Sequence, residues 1–165
     1  MRFVVVGDAG LDVTVAPSRP LRDGGDVPAT IRLGPGGQGA NVAVRLARRG
    51  ADVRLVAPIG EDTAGRLLRE TLVADGVAVE AQPASRSASV VALLDPGGER
   101  SMLSDRRSLN PGGIPAALAG ASWVHCSGYP LLDDATGDAL ARALGDRGAG
   151  VRLSVAGGSV PPEPA

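Results

Sequence analysis

The residues best suited to chemistry lie in one run, Gly34-Pro35-Gly36-Gly37-Gln38-Gly39-Ala40-Asn41-Val42-Ala43. Glycines let a backbone approach a ligand closely, and a helix start offers N–H groups without intrahelical partners. Asn41, in the first helical turn, adds an amide that both donates and accepts, which suits a hydroxyl. Gly34, Gly36 and Gly39 also satisfy GxGxxG, the spacing that cradles a dinucleotide pyrophosphate. That motif should close the first strand of a βαβ unit, with an acid ending the next strand. Here one strand has already passed upstream and the next, Val53–Ala57, runs into Pro58. A dinucleotide-binding oxidoreductase is therefore the weaker reading. A plain tight turn is the alternative to a ligand loop, and the run alone does not separate the two.

Two carboxylates, Asp8 and Asp12, follow the first strand, Phe3–Val6. Asp12 comes after a short turn, which places it at the carboxyl end of a parallel sheet, where open α/β sheets bind ligands. It also begins the next extended segment, and is expected to be the stronger ligand anchor of the two. His125 and Cys126 are neighbours on an apolar strand and point to opposite faces, which argues against a catalytic pair. One Cys and one His exclude a disulfide framework and a zinc site. All 17 basic residues are Arg, so P-loop and Schiff-base chemistry are excluded as well. The formal net charge is -1 with both signs interspersed, and only 2% of residues are aromatic, so no nucleic-acid surface is expected. The first apolar run is too short for a signal peptide and no stretch is long enough for a membrane span, so a cytoplasmic location is expected.

These residues need a scaffold. Strands are expected at Phe3–Val6, Val53–Ala57, Trp123–Cys126 and Val151–Val155, filled by small branched side chains. Helices are expected at Gln38–Arg49 and Thr63–Ala74, stopped by Gly50 and Gly76, and at Asp134–Leu144, with a shorter one near Pro111–Leu118. Asp12–Ala16 and Thr30–Leu33 read as short extended pieces. Ala88–Leu94 and Arg100–Ser104 read as a hairpin turning at Asp95-Pro96-Gly97-Gly98-Glu99. Alternating strands and helices imply an α/β fold with a parallel sheet covered on both faces, plus a small β lid.

The run Gly36-Gly37-Gln38-Gly39-Ala40-Asn41-Val42-Ala43, with Leu46-Ala47-Arg48-Arg49-Gly50-Ala51, resembles the first signature of the ribokinase/PfkB carbohydrate kinases. Gly7-Asp8-Ala9-Gly10-Leu11-Asp12 resembles the family's opening strand with its substrate-clamping Asp. Gly60-Glu61-Asp62-Thr63-Ala64-Gly65 resembles its G-x-D-x-x-G, and Gly98-Glu99-Arg100 and Ser127-Gly128-Tyr129 resemble later segments. The resemblance implies a three-layer, ribokinase-like (Rossmann-like) sheet with lid segments at about 13–35 and 87–105. It implies ATP-dependent phosphorylation of a hydroxyl on a sugar or nucleoside. Asp12 would accept from two sugar hydroxyls, Gly36 and Gly37 would present backbone, and Asn41 would hold a further hydroxyl. Gln38, Asp105 and Arg106 are weaker candidates.

The family's second signature, a Gly-Ala-Gly-Asp run whose Asp is the base, finds only Asp146-Arg147-Gly148-Ala149-Gly150-Val151 here. Val151 stands where the Asp should be, and the family's Asn-x-x-Glu segment has no counterpart. ATP and Mg are thus expected for a complete enzyme, with base, nucleotide and metal elements outside this chain. Residues 1–165 are expected to be the N-terminal part of one domain, a fragment, a truncated product or half of a split enzyme, with 157–165 a disordered tail. The partner is expected to be a sugar or nucleoside, with a homodimer through the lid or a separately encoded C-terminal half as further partners. A non-catalytic sugar-binding or regulatory module, or a truncated pseudo-enzyme, is the competing function.

Overall fold

The computed structural model describes residues 1–21, 24–95, 97–132 and 136–157. The expected helix start at Asp134, the turn residue Pro96 and the tail beyond residue 157 lie outside them. Five strands form one parallel sheet: β1 (Arg2–Val6), β4 (Asp52–Gly60), β5 (Ala78–Ala84), β8 (Trp123–Cys126) and β9 (Arg152–Val155), in the order β5-β4-β1-β8-β9. Val4, Val5 and Val6 are wholly buried, because alternate residues of β1 serve opposite faces and both faces are covered. On one face Val5, Leu55 and Ile59 pack with Ala40 and Ala43 of α1 (Gln38–Ala47) and Leu72 of α2 (Thr63–Ala74). On the other, Val4, Val6, Val124 and Cys126 pack with Ile114 of α3 (Ile114–Ala117) and Leu140 and Leu144 of α4 (Gly137–Gly145).

Gly50 and Gly76, both at positive φ, stop α1 and α2 as their sequence positions imply. Asp62 caps α2 by accepting from the Gly65 N–H at 2.8 Å, and accepts from the Ser87 N–H and hydroxyl at 2.9 and 2.7 Å. Those bonds, the Ser87 hydroxyl's first, hold its carboxyl down to about 2.

A second sheet orders β3-β2-β6-β7, from β2 (Gly10–Pro17), β3 (Ala29–Gly36), β6 (Ala88–Leu94) and β7 (Arg100–Asp105). It joins the two segments far apart in sequence by pairing β2 with β6 in parallel, and antiparallel pairs flank that seam. The β6–β7 turn closes with Asp95 and Glu99 bonded through backbone and side chain, and with Gly98 at positive φ.

Three expectations need correction. Gly34-Pro35-Gly36 is not a turn but the end of β3, paired with Asp12, Leu11 and Gly10; only Gly37 turns, at φ 97°. The turn after β1 spans only residues 7–9, and Asp12 lies inside β2. Strand β5 was not expected, since Ala78-Val79-Glu80-Ala81-Gln82-Pro83-Ala84 carries a proline and little alternation. It is an edge strand, where a missing N–H costs no ladder bond.

Candidate active site

Between the carboxyl end of the parallel sheet and the second sheet lies a cavity of about 560 Å³. Its walls follow from simple periodicities. Gln38, Asn41 and Arg45 are three, then four residues apart and line one stripe of α1. Asp12, Val90 and Ser104 are cross-strand neighbours in register on one face of the second sheet, with Met102 two residues along β7. Arg106, Arg107 and Tyr129 close the remaining side.

The two acids near the cavity have different employment. Asp8 accepts from the backbone N–H groups of Gln38 and Gly39 at 2.9 and 3.2 Å, and its own carbonyl accepts from Ala40 at 3.1 Å. The Ser127 hydroxyl donates to it at 2.8 Å. Gly37 offers α1 no side-chain cap, so Asp8 caps it from another element and fills the N–H groups that an anion would use. This closes the dinucleotide reading on physical grounds. Gly37 itself must lack a side chain, since a Cβ there would sit 2.7 Å from the Asp8 carbonyl oxygen.

The Asp12 carboxylate, by contrast, takes no hydrogen bond or ion pair among the described residues, although Asp12 is half-buried and lines the cavity. Burial, then the neighbouring Asp8 charge, raises its carboxyl above the ordinary range, and Arg100 opposes this. Gly36 does not line the cavity; the Asp12 carboxyl lies over its Cα, 2.0 Å from where a Cβ would be. Asn41 is exposed to the cavity with its amide uncommitted among the described residues. Gln38 lines the cavity but spends its amide elsewhere, accepting from the Gly128 N–H and donating to the Gly157 carbonyl, both at 3.0 Å.

Asp105 stands outside the cavity lining, held by Arg86 at 3.1 Å and Arg107 at 2.6 Å, and Arg107 lowers its carboxyl most. Arg106 lines the cavity with its guanidinium 3.9 Å from the centroid of the Tyr129 ring. Arg45, Ser104 and Tyr129 escaped sequence reasoning. Arg45 was findable, standing seven residues after Gln38 on the same helix face. Ser104 was not, because its position depends on strand register. Among the described residues no group of three or more His, Cys, Asp or Glu could hold a metal ion. Burial drives the Cys126 thiol up to about 12, which makes it a packing residue.

Residues 2–150 match the family model described as pfkB family carbohydrate kinase. A fructokinase of Klebsiella pneumoniae is 39% identical over 102 residues, covering 56% of this chain and 33% of that protein. The structure of ribokinase from Giardia lamblia superposes with a TM-score of 0.79 at 16% identity, covering 93% of this chain and 54% of that one. A fructokinase with bound ATP from Xylella fastidiosa gives 0.72 at 23% identity, covering 93% and 50%. The chain thus spans a third of the first protein's length and about half of the other two.

Proposed function

We propose that this chain, which belongs to the pfkB family of carbohydrate kinases, supplies the acceptor pocket of an ATP-dependent sugar kinase. One observation carries the reading: Asp12 faces the cavity uncommitted, while Asp8 four residues earlier is fully engaged. A free carboxylate accepts from two neighbouring hydroxyls, and an acceptor lacking them leaves it buried and unpaired. Asn41 takes a further hydroxyl, and the Gly37 backbone lies close beside them. The second sheet serves as the lid. Closing it excludes water that would otherwise compete for the phosphoryl group.

Phosphoryl transfer also needs a cradle for the nucleotide phosphates and a metal ion. The described residues do not fit either: Asp8 occupies the start of α1, and no carboxylate cluster is present among them. No transfer step is assigned to this chain, and ATP and Mg²⁺ are proposed to act with the length of its relatives that it does not span. The chain alone then binds acceptor without turnover.

Calorimetric titration with a panel of neutral sugars, nucleosides and sugar phosphates tests this. At least one should bind, and Asp12→Ala should weaken it by about tenfold or more. A chain that binds none of the panel, or binds equally well without Asp12, overturns the reading. Turnover of ATP in proportion to added chain overturns the assignment of chemistry elsewhere.

A further inference from the structure

The acceptor pocket holds more positive charge than hydroxyl recognition needs. Three arginines line it: Arg45, Arg106 and Arg107. Arg107 is consumed by Asp105 at 2.6 Å and by the Arg86 carbonyl at 3.1 Å. Arg45 and Arg106 have no acid within ion-pair distance among the described residues. Unpaired arginines are common on this chain's surface, but these two line the same cavity as the free Asp12. With Asp8 consumed by α1 and Arg107 by Asp105, the cavity keeps one acid and two bases. Such a cavity matches an acceptor that carries hydroxyls at one end and negative charge at the other.

Arg106 is suited to that task. Its stacking on Tyr129 fixes the plane of the guanidinium, so less freedom is lost when its edge meets an oxyanion. Arg45 stands one helical turn beyond Asn41 on the stripe that lines the cavity. A bound anion would therefore lie beyond the hydroxyl held by Asn41. The start of α1, the other source of positive potential, is closed by Asp8, which leaves the side chains to supply the charge.

We infer that the acceptor of this pocket is an anionic sugar, bearing a carboxylate or phosphate that Arg45 and Arg106 hold while Asp12 takes its hydroxyls. This rests on the acceptor-pocket reading above. The test compares fructose, fructose 6-phosphate, gluconate and ADP as calorimetric titrants of the chain. At least one of the two anionic sugars should bind about tenfold or more tighter than fructose, the size of one charge-assisted hydrogen bond. That advantage should shrink with added salt and vanish in Arg106→Ala and Arg45→Ala, while exposed Arg142→Ala on α4 retains it. Both cavity arginines are exposed, so these variants should fold, and circular dichroism checks that they do. Fructose binding through Asp12 with no anionic advantage overturns this inference and leaves the acceptor reading standing. An advantage that survives both substitutions also overturns it. ADP binding that needs both arginines assigns the charge to the nucleotide instead and overturns it too. No binding of any anionic sugar overturns this inference, and no binding across the wider panel above overturns both readings.

Discussion

In the parallel sheet Val4, Val5, Val6 and Leu55 are wholly buried between helix layers, whereas in the second sheet Ile31, Leu33 and Leu103 are 58–62% exposed. Register explains the contrast. Leu33, Val13, Val91 and Leu103 are cross-strand neighbours one residue out of phase with Asp12, Val90 and Ser104, so they face away from the cavity. One sheet has two dry faces; the other has a cavity face and a wet apolar face. Stability should therefore reside in the first and ligand discrimination in the second, and each substitution below presses on that division.

The largest effect belongs to the buried sheet. Leu55→Ala should cost about 2–5 kcal/mol in urea unfolding, since a cavity between helix and sheet collapses only partly. A loss below about 1 kcal/mol would erase the contrast. Next comes Asp12→Ala, which should change stability by less than about 0.5 kcal/mol while weakening acceptor binding about tenfold or more. Gly36→Ala should imitate it, because the new Cβ displaces the Asp12 carboxyl. Binding in the wild-type chain should fall as pH drops through the raised Asp12 value, earlier than for an ordinary carboxylate, and Asp12→Asn should flatten that dependence.

Smaller still are the two capping acids, whose loss should appear in stability. Asp8→Ala should cost about 0.5–2 kcal/mol, as capping residues do. Asp62 is lowered from 3.8 to about 2, so the folded state favours its ionised form. Its contribution is complete above pH 3.8 and is lost as pH falls towards 2. Asp62→Asn should therefore be less stable than wild type near pH 6, and acid titration followed by circular dichroism should show the difference closing across that window. The smallest change is Leu33→Ser, expected within about 0.5 kcal/mol of wild type. It should also lower light scattering at high concentration, because an exposed apolar sheet face favours self-association.

The parallel sheet was legible because its signals are local. The valine run before Gly7 places β1, the short apolar run Trp123–Cys126 places β8, and the leucine spacing ended by Gly76 places α2; the last two match their expected bounds, Trp123–Cys126 and Thr63–Ala74. Strand β5 was illegible because an edge strand needs no alternation and tolerates Pro83. The site divided along the same line. Of the cavity lining, Asp12 and Asn41 were readable from the motif that also marks the family. The engagement of Gln38 with Gly128 and Gly157 was not, since it joins residues 90 and 119 positions apart. The sequence favoured Asp12 over Asp8 as the anchor but did not reveal that Asp8 caps α1, which follows from the position of Ser127 and the N–H groups of the helix.

The ties from Asp8 to Ser127 and from Gln38 to Gly128 also bear on the expected order of folding. Helix α1 is held by local bonds, but the bonds that seat it come from residues about 120 and 90 positions later. Contacts that distant carry a loop-closure cost and form late. Until β8 docks, Asp8 has no hydroxyl to steady it against α1, and the cavity has no fixed floor. A ligand present during refolding should then find its site complete only once β8 has docked, although Asp12 and Asn41, proposed to take its hydroxyls, lie in the first half of the chain.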